Sequence, residues 1–138
     1  MSMVEDELKS VGLKVTPQRA LVLKYISENS GQHFTAEQIH KHIKGSISNV
    51  PPATVYNILK ILVGKKIINS FEVDGKAMYE SRTELHINFI CESCGKITDH
   101  DLGDVEDKLY ENIKGTILSS SIVVHGICPL CLAKAQGE

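Results

Sequence analysis

The chain has 138 residues, of which 42% are hydrophobic, and a formal net charge of −2. This length fits one large or two small domains, and no apolar run approaches the roughly 18 residues of a membrane span. The first residues, MSMVEDE, lack the basic stretch and apolar core of a secretion signal. We therefore expect a cytoplasmic protein that has no membrane partner.

Charge is unevenly distributed along the chain. Residues 1–82 carry 11 Lys/Arg and 8 Asp/Glu, whereas residues 83–138 carry 4 and 9. A basic half joined to an acidic half indicates that only the first half meets a polyanion such as double-stranded DNA. The excess in the first half is small enough to be ordinary surface variation, so the interpretation depends on the predicted fold.

The first half begins with two predicted helices. Residues 4–11 have the spacing of a short amphipathic helix that ends at Gly12. Thr16 is typical of an N-cap, and Pro17 is typical of the first helical position, where its missing N–H costs nothing. A longer helix is therefore predicted to start at Pro17.

Two more helices and a hairpin follow. Residues 35–38 (TAEQ) form a capping-box pattern, and the proline pair 51–52 precedes a helix over residues 53–63 that ends at Gly64. A compact loop joins these helices, which is typical of a helix-turn-helix. Residues 68–73 and 76–80 are predicted strands joined by Asp74-Gly75, a strong hairpin signal. Together they predict a winged helix with the hairpin as the wing.

The second half is predicted to be a small α/β module. The mostly polar residues 81–85 mark a hinge, and strands are predicted over residues 87–90 and 96–99. A helix capped by Asp104 is predicted over residues 104–113, and a β-branched strand over residues 117–124. The predicted fold class is α+β: a winged helix-turn-helix domain at 1–80, a hinge at 81–85 and a C-terminal α/β domain at 86–138.

Four cysteines form two Cys-x-x-Cys pairs, Cys91 with Cys94 and Cys128 with Cys131. Each pair places two thiolates on one tight turn, and two such turns hold a tetrahedral zinc. Gly95 suits the first turn because it has no Cβ. Four protein ligands leave no position for water, so the predicted Zn²⁺ is structural. The alternatives are two disulfides, a redox dithiol or an iron–sulfur cluster, of which a reducing cytosol disfavours the first.

Several motifs occur in an order that resembles the ferric-uptake-regulator (Fur) family of metal-dependent transcription factors. The motifs are residues 15–19 (VTPQR), 33–37 (HFTAE), 53–59 (ATVYNIL), 86–96 (HINFICESCGK) and 126–131 (GICPLC). The resemblance covers about residues 4–133. It implies a DNA-binding winged helix, a dimerisation module, a structural zinc and a separate regulatory metal between the domains, in a homodimeric repressor that binds inverted-repeat operators.

The resemblance implies a set of DNA contacts. The helix that starts at Pro52 would enter the major groove, and the Asp74-Gly75 wing would lie against the backbone or minor groove. Tyr56 would pack on a thymine methyl or reach a phosphate. For each lysine the alternative is a solvated side chain. The expected DNA-binding residues are Lys14, Arg19, Thr54, Tyr56, Asn57, Lys60 and Lys76.

The resemblance also implies the ligands of a regulatory metal. Carried over position by position, they are His33, Glu80, His86, Asn88 and Asp99. Asn88 departs from the family's His-x-His pattern, and its amide is a poorer ligand than imidazole. This donor set suits Fe²⁺ or Mn²⁺. Asp99 resembles the peroxide-sensing branch, in which bound Fe²⁺ reacts with peroxide and a ligand histidine is oxidised. Iron or zinc control without peroxide sensing is the alternative within the family.

The other histidines receive simpler interpretations. His40 and His42 are expected to be solvated on their helix, and His125 is expected to pack near the second cysteine pair without binding the metal. No histidine is followed by Glu two residues later, so the deaminase signature is missing, as are a P-loop and a Gly-x-Ser-x-Gly elbow. We therefore expect no enzyme and no small-molecule substrate. A zinc-ribbon protein-interaction module without DNA binding is the remaining alternative.

Overall fold

The computed structural model describes residues 3–137. The chain divides into two units, Met1–Thr83 and Glu84–Glu138, and each is described by itself.

Unit 1 begins with four helices: α1 (Met3–Ser10), α2 (Pro17–Glu28), α3 (Ala36–Ile43) and α4 (Pro52–Gly64). The predicted caps are present. Thr16 Oγ1 accepts a hydrogen bond from the N–H of Arg19 at 3.1 Å. Thr35 and Gln38 form both bonds of the capping box, at 3.2 and 2.9 Å. The positions of these helices confirm the predictions from their start signals.

The core of unit 1 lies among these helices. Each helix contributes one apolar stripe, so that helical spacing in the sequence becomes a shared interior. The fully buried side chains include Leu8, Val22, Ile26, Ile39, Ile43, Val55, Leu59 and Leu62. On α4 the buried stripe leaves the opposite face, which carries Tyr56, Asn57 and Lys60, exposed to solvent.

The wing is a two-stranded antiparallel hairpin, β1 (Asn69–Val73) and β2 (Lys76–Glu80). Asp74 and Gly75 both have positive φ, 52° and 81°, as a two-residue type I′ turn requires. An additional bridge joins Phe34 to Tyr79 through two backbone hydrogen bonds of 2.9 and 2.7 Å. The bridge attaches the end of the wing to the segment just before α3.

Unit 2 contains a three-stranded sheet, a short 3₁₀ helix (Gly103–Lys108) and a terminal helix, α5 (Pro129–Gln136). The strands are β3 (Ile87–Cys91), β4 (Ile97–His100) and β5 (Ile122–Gly126). β3 is central, antiparallel to β4 and parallel to β5. The predicted strands at 87–90 and 96–99 are confirmed.

Two predictions for unit 2 are wrong in extent. The predicted helix over residues 104–113 is a 3₁₀ helix that ends at Lys108, because its apolar residues Val105 and Ile113 remain exposed and an isolated short helix is marginal without packing. The predicted strand over 117–124 starts only at Ile122. Ile122 pairs with Ile87, the first residue of β3, so residues 117–121 precede the first rung of the ladder.

Helix α5 was not predicted. Cys128 is its N-cap residue and Pro129 lies in its first turn, which is the same arrangement as Thr16 and Pro17 at the start of α2. Across residues 3–137, no helix is long and apolar enough to cross a membrane.

Candidate metal centres and nucleic-acid interface

The four cysteine sulfurs converge in unit 2. All four Sγ atoms lie within 4.8 Å of one another, and all four cysteines are free. The Sγ atoms of Cys94 and Cys128 are 3.9 Å apart. A tetrahedral zinc with Zn–S bonds of about 2.3 Å requires sulfurs about 3.8 Å apart, whereas a disulfide requires about 2.05 Å. The cluster therefore has the spacing of a four-thiolate zinc site.

Backbone geometry directs both knuckles toward this point. Cys91 ends β3, and Gly95, with φ of 79°, closes the first turn by donating its N–H to Cys91 O at 2.9 Å. Cys128 starts α5 and Cys131 follows in its first turn. Because β5 runs beside β3, with Gly126 opposite Cys91, the second knuckle is delivered next to the first.

Backbone N–H groups stabilise a thiolate at Cys91. The N–H groups of Cys128 and Cys94 donate to Cys91 Sγ at 3.3 and 3.4 Å. These donors, with Cys128 the stronger, lower the pKa of Cys91 from 9.0 to about 6. The thiolate is the form that binds metal. His125, which was expected to pack near the second cysteine pair, contacts Glu92 of the first knuckle through Nδ1.

Two of the predicted regulatory ligands meet in unit 1. The bridge between Phe34 and Tyr79 makes their neighbours His33 and Glu80 adjacent, and His33 Nε2 lies 3.3 Å from Glu80 Oε1. The second carboxylate oxygen, Oε2, accepts a hydrogen bond from Asn69 Nδ2 at 2.9 Å. Asn69 was not among the predicted residues, and it fixes the orientation of the Glu80 carboxylate.

The other three predicted ligands meet in unit 2. His86 precedes β3 and Asn88 lies two residues further on, so both point to the same face, and Asp99 on β4 pairs with Asn88. His86 Nε2 lies 3.1 Å from Asn88 Oδ1 and 3.6 Å from Asp99 Oδ1. Local strand geometry therefore assembles these three side chains.

The hydrogen bonds of this group orient its nitrogen and oxygen atoms toward one another. His86 Nδ1 lies 2.8 Å from the Glu84 carbonyl oxygen, which can only accept, so Nδ1 carries a proton and the ring is held with Nε2 toward Asn88 and Asp99. Asn88 Nδ2 donates to Ile122 O at 3.4 Å, which turns Oδ1 toward His86. Nε2, Oδ1 and a carboxylate therefore face one another, an arrangement that a cation satisfies.

The predicted DNA-binding residues all lie in unit 1. Tyr56, Asn57 and Lys60 are exposed on α4, and Thr54 is half-buried there. Lys76 is exposed at the start of β2, in the wing. Lys14 and Arg19 are next to each other, because Arg19 Nη1 donates to Lys14 O at 2.9 Å. One contact on this surface was not predicted: Tyr56 Oη donates to Glu37 Oε1 at 2.8 Å.

The two histidines of α3 differ from expectation in part. His40, expected to be solvated, is half-buried, and its Nε2 lies 2.7 Å from Val50 O, which ties α3 to the loop before α4. His42 is exposed, as expected, but its ring also contacts that of Tyr25 at a centroid distance of 4.0 Å.

Known proteins resemble this chain over nearly its whole length. The profile of the ferric uptake regulator family matches residues 10–124. The peroxide operon regulator of Bacillus subtilis (strain 168) is 34% identical over 133 residues, which cover 94% of this chain and 91% of that protein. The ferric uptake regulation protein of the same strain is 30% identical over 139 residues, covering 95% and 93%.

A solved structure shares the fold. The ferric uptake regulator Fur of Helicobacter pylori, described as having three functional metal binding sites, has a TM-score of 0.73 and 27% identity, covering 94% of this chain and 89% of that one. Three findings support one conclusion: the match to the family profile, the relative at 34% identity that spans 94% of the chain, and the shared fold. The chain belongs to the ferric uptake regulator family and is a metal-responsive transcriptional regulator similar to the peroxide-regulator branch.

Proposed function

We propose that this protein is a cytoplasmic, homodimeric repressor that binds inverted-repeat DNA operators when Fe²⁺ or Mn²⁺ is bound, and that peroxide relieves the repression. The observation that carries the proposal is the group in unit 2, where His86 Nε2, Asn88 Oδ1 and Asp99 Oδ1 face one another. Such a group is suited to a hard or borderline divalent cation through nitrogen and oxygen atoms.

The regulatory metal is proposed to take ligands from both units. His33 and Glu80 supply one imidazole and one carboxylate, while the unit 2 group supplies an imidazole, a carboxylate and an amide oxygen. Thiols are confined to the separate cysteine cluster, which favours Fe²⁺ or Mn²⁺ at the regulatory site and Zn²⁺ at the cysteines. We assign no catalytic residue.

The dimer is proposed to form through unit 2. Its apolar side chains are poorly covered within the unit, which is typical of a surface that another subunit buries. The exposed ones are Val105, Ile113, Ile117, Leu118, Val124, Ile127, Leu130 and Leu132. Burying them against a second copy would complete a core that this small unit lacks by itself.

DNA binding is tested by titrating a labelled duplex library with full-length protein and Mn²⁺ at two salt concentrations. Phosphate contacts by basic side chains release counterions, so affinity is expected to fall linearly with log[salt]. The selected duplexes are expected to contain an inverted repeat, because a two-fold dimer presents two copies of α4. No shift at either salt would favour a protein-interaction module instead.

Arg19→Ala is expected to weaken all duplexes alike and to reduce the salt slope by about one, as for loss of a phosphate contact. Lys24→Ala is the matched control, since Lys24 is an exposed cation on the same helix that pairs with Glu28. A change in sequence preference with Arg19→Ala, without loss of general affinity, would contradict a phosphate contact.

Peroxide sensing is tested by mass spectrometry. When Fe²⁺-loaded protein is treated with peroxide, the peptides that contain His33 or His86 are expected to gain one oxygen atom, and operator affinity is expected to fall. Protein loaded with Mn²⁺ is the control. If neither loaded form loses operator affinity and no histidine is modified, the protein responds to metal alone.

A further inference from the structure

The surface of unit 1 that carries the predicted DNA-binding residues contains a hydrogen bond between two helices. Tyr56 Oη on α4 donates to Glu37 Oε1 in the first turn of α3 at 2.8 Å, and Tyr56 is 45% exposed. This contact places a carboxylate beside the one aromatic side chain on the exposed face of α4, a position where a basic residue would be expected opposite DNA.

The bond determines what the tyrosine hydroxyl offers to a ligand. A phenol has a single proton to donate, and here the carboxylate accepts it. The remaining lone pairs of Oη can only accept, and the side chain is exposed to solvent. The Glu37 carboxylate beside them is also an acceptor and carries a negative charge. The pair therefore presents acceptor atoms toward the ligand.

The ionisation of both groups preserves this polarity. Donation from the Tyr56 hydroxyl is the main cause that lowers the pKa of Glu37, followed by its backbone hydrogen bond and, with smaller effects, the Thr35 side chain and the charge of Lys76. The same hydrogen bond raises the pKa of Tyr56. At neutral pH the carboxylate is thus charged and the phenol keeps its proton, so the direction of the bond does not reverse.

These properties fit base edges and not phosphates. A phosphate oxygen is itself a hydrogen-bond acceptor, so it cannot donate to Tyr56 Oη, and its negative charge is repelled by the Glu37 carboxylate. In the major groove the donors are the exocyclic amino groups, adenine N6 and cytosine N4. We propose that Glu37 is a positioning residue that makes Tyr56 a reader of an exocyclic amino group in the major groove. This inference rests on the proposed DNA-binding function.

The experiment uses full-length protein with Mn²⁺ and the duplex that the parent selects from the random library. Each adenine is replaced in turn by purine, which lacks N6, and each cytosine by 2-pyrimidinone, which lacks N4. At one position in each half-site, the parent is expected to lose about 2- to 10-fold in affinity, the size of one net hydrogen bond. The two analogues distinguish adenine from cytosine as the base that is read.

Two variants connect this loss to the pair. Tyr56→Phe keeps the ring and removes Oη, so it should lose sensitivity to the analogue at that position while retaining sensitivity elsewhere. Glu37→Ala removes the acceptor and frees the hydroxyl proton, so it should also lose this sensitivity even if general affinity rises. Glu28→Ala, which removes an equal charge elsewhere in unit 1, should retain the parent's pattern. NMR titration of labelled tyrosines should show a lower Tyr56 pKa in Glu37→Ala without DNA.

The outcomes distinguish a failure of the proposed DNA binding from a failure of the inference about Glu37 and Tyr56. If the parent selects no duplex, the proposed DNA-binding function fails. If the parent selects a duplex but Tyr56→Phe or Glu37→Ala keeps the full sensitivity to every analogue, only the inference about Glu37 and Tyr56 is overturned. It is also overturned if Tyr56→Phe weakens every duplex equally, because that result identifies a phosphate contact.

Discussion

Replacing Cys91 with serine is expected to remove zinc from the cysteine cluster and to unfold unit 2. The four sulfurs have the spacing of a closed tetrahedral site, and structural zinc supplies roughly 10–16 kcal/mol of apparent binding free energy at neutral pH, which is coupled to folding. Unit 2 buries few apolar side chains of its own, among them Ile90. The loss should therefore equal or exceed the total stability of most small domains, roughly 5–15 kcal/mol.

The parent is expected to retain one zinc per chain after mild chelation, by metal analysis, and to sediment as a dimer. Cys91→Ser and Cys131→Ser should lose zinc, the dimer and the cooperative unfolding of unit 2 together. Glu92→Gln is the matched control. Glu92 lies on the same knuckle, but its side chain carries no sulfur and its carboxylate contacts His125. A cysteine variant that stays dimeric and binds its duplex normally would refute a structural role for the metal.

The sequence predictions succeeded for elements that depend on neighbouring residues and were less accurate for elements that depend on pairing between distant residues. Helix starts and the hairpin depend on neighbouring residues, and Thr16, Thr35 and Asp74 specified them correctly. The hairpin also contains an unused signal: a two-residue turn at 74–75 fixes the register, so Asn69 must lie opposite Glu80. Asn69 was therefore predictable as the partner of the Glu80 carboxylate.

Unit 2 was harder to predict because its limits depend on distant pairing. β-Branched residues occur as early as Ile117, but the strand starts only at Ile122, which is the first residue that pairs with β3. That register joins segments 35 residues apart, and propensity does not encode it. The regulatory ligands were predicted from family resemblance. Backbone pairing brings them together as one pair in unit 1 and one group of three in unit 2.

The contact between Glu37 and Tyr56 shows another limit. The side chains come from different helices and are 19 residues apart in the sequence, and neither residue is a predicted metal ligand. Only the packing of α3 against α4 brings them together. Surface contacts between helices of this kind are invisible to periodicity, because both residues lie on the solvent side of their own helix.

Replacing His33 with alanine is expected to abolish the dependence of DNA affinity on Fe²⁺ or Mn²⁺ while leaving zinc and dimer intact. His33 belongs to unit 1, whereas His86, Asn88 and Asp99 belong to unit 2. A metal that takes ligands from both would fix the angle between the units and hence the spacing of the two α4 helices in a dimer. The parent should bind its duplex roughly 5- to 150-fold more tightly with metal, a coupling of roughly 1–3 kcal/mol.

The reciprocal measurement distinguishes this mechanism from a general effect of metal on folding. Linkage requires that DNA tighten metal binding by the same factor by which metal tightens DNA binding, so both affinities are measured on the same protein. His42→Ala is the control, because it removes an exposed imidazole from unit 1 without affecting the pair of His33 and Glu80. Asn88→His should tighten metal binding, since Nδ1–H can donate to Ile122 O in place of the amide and Nε2 then replaces a weaker oxygen ligand. Equal duplex affinity with and without metal in the parent would rule out the switch, whatever the variants do.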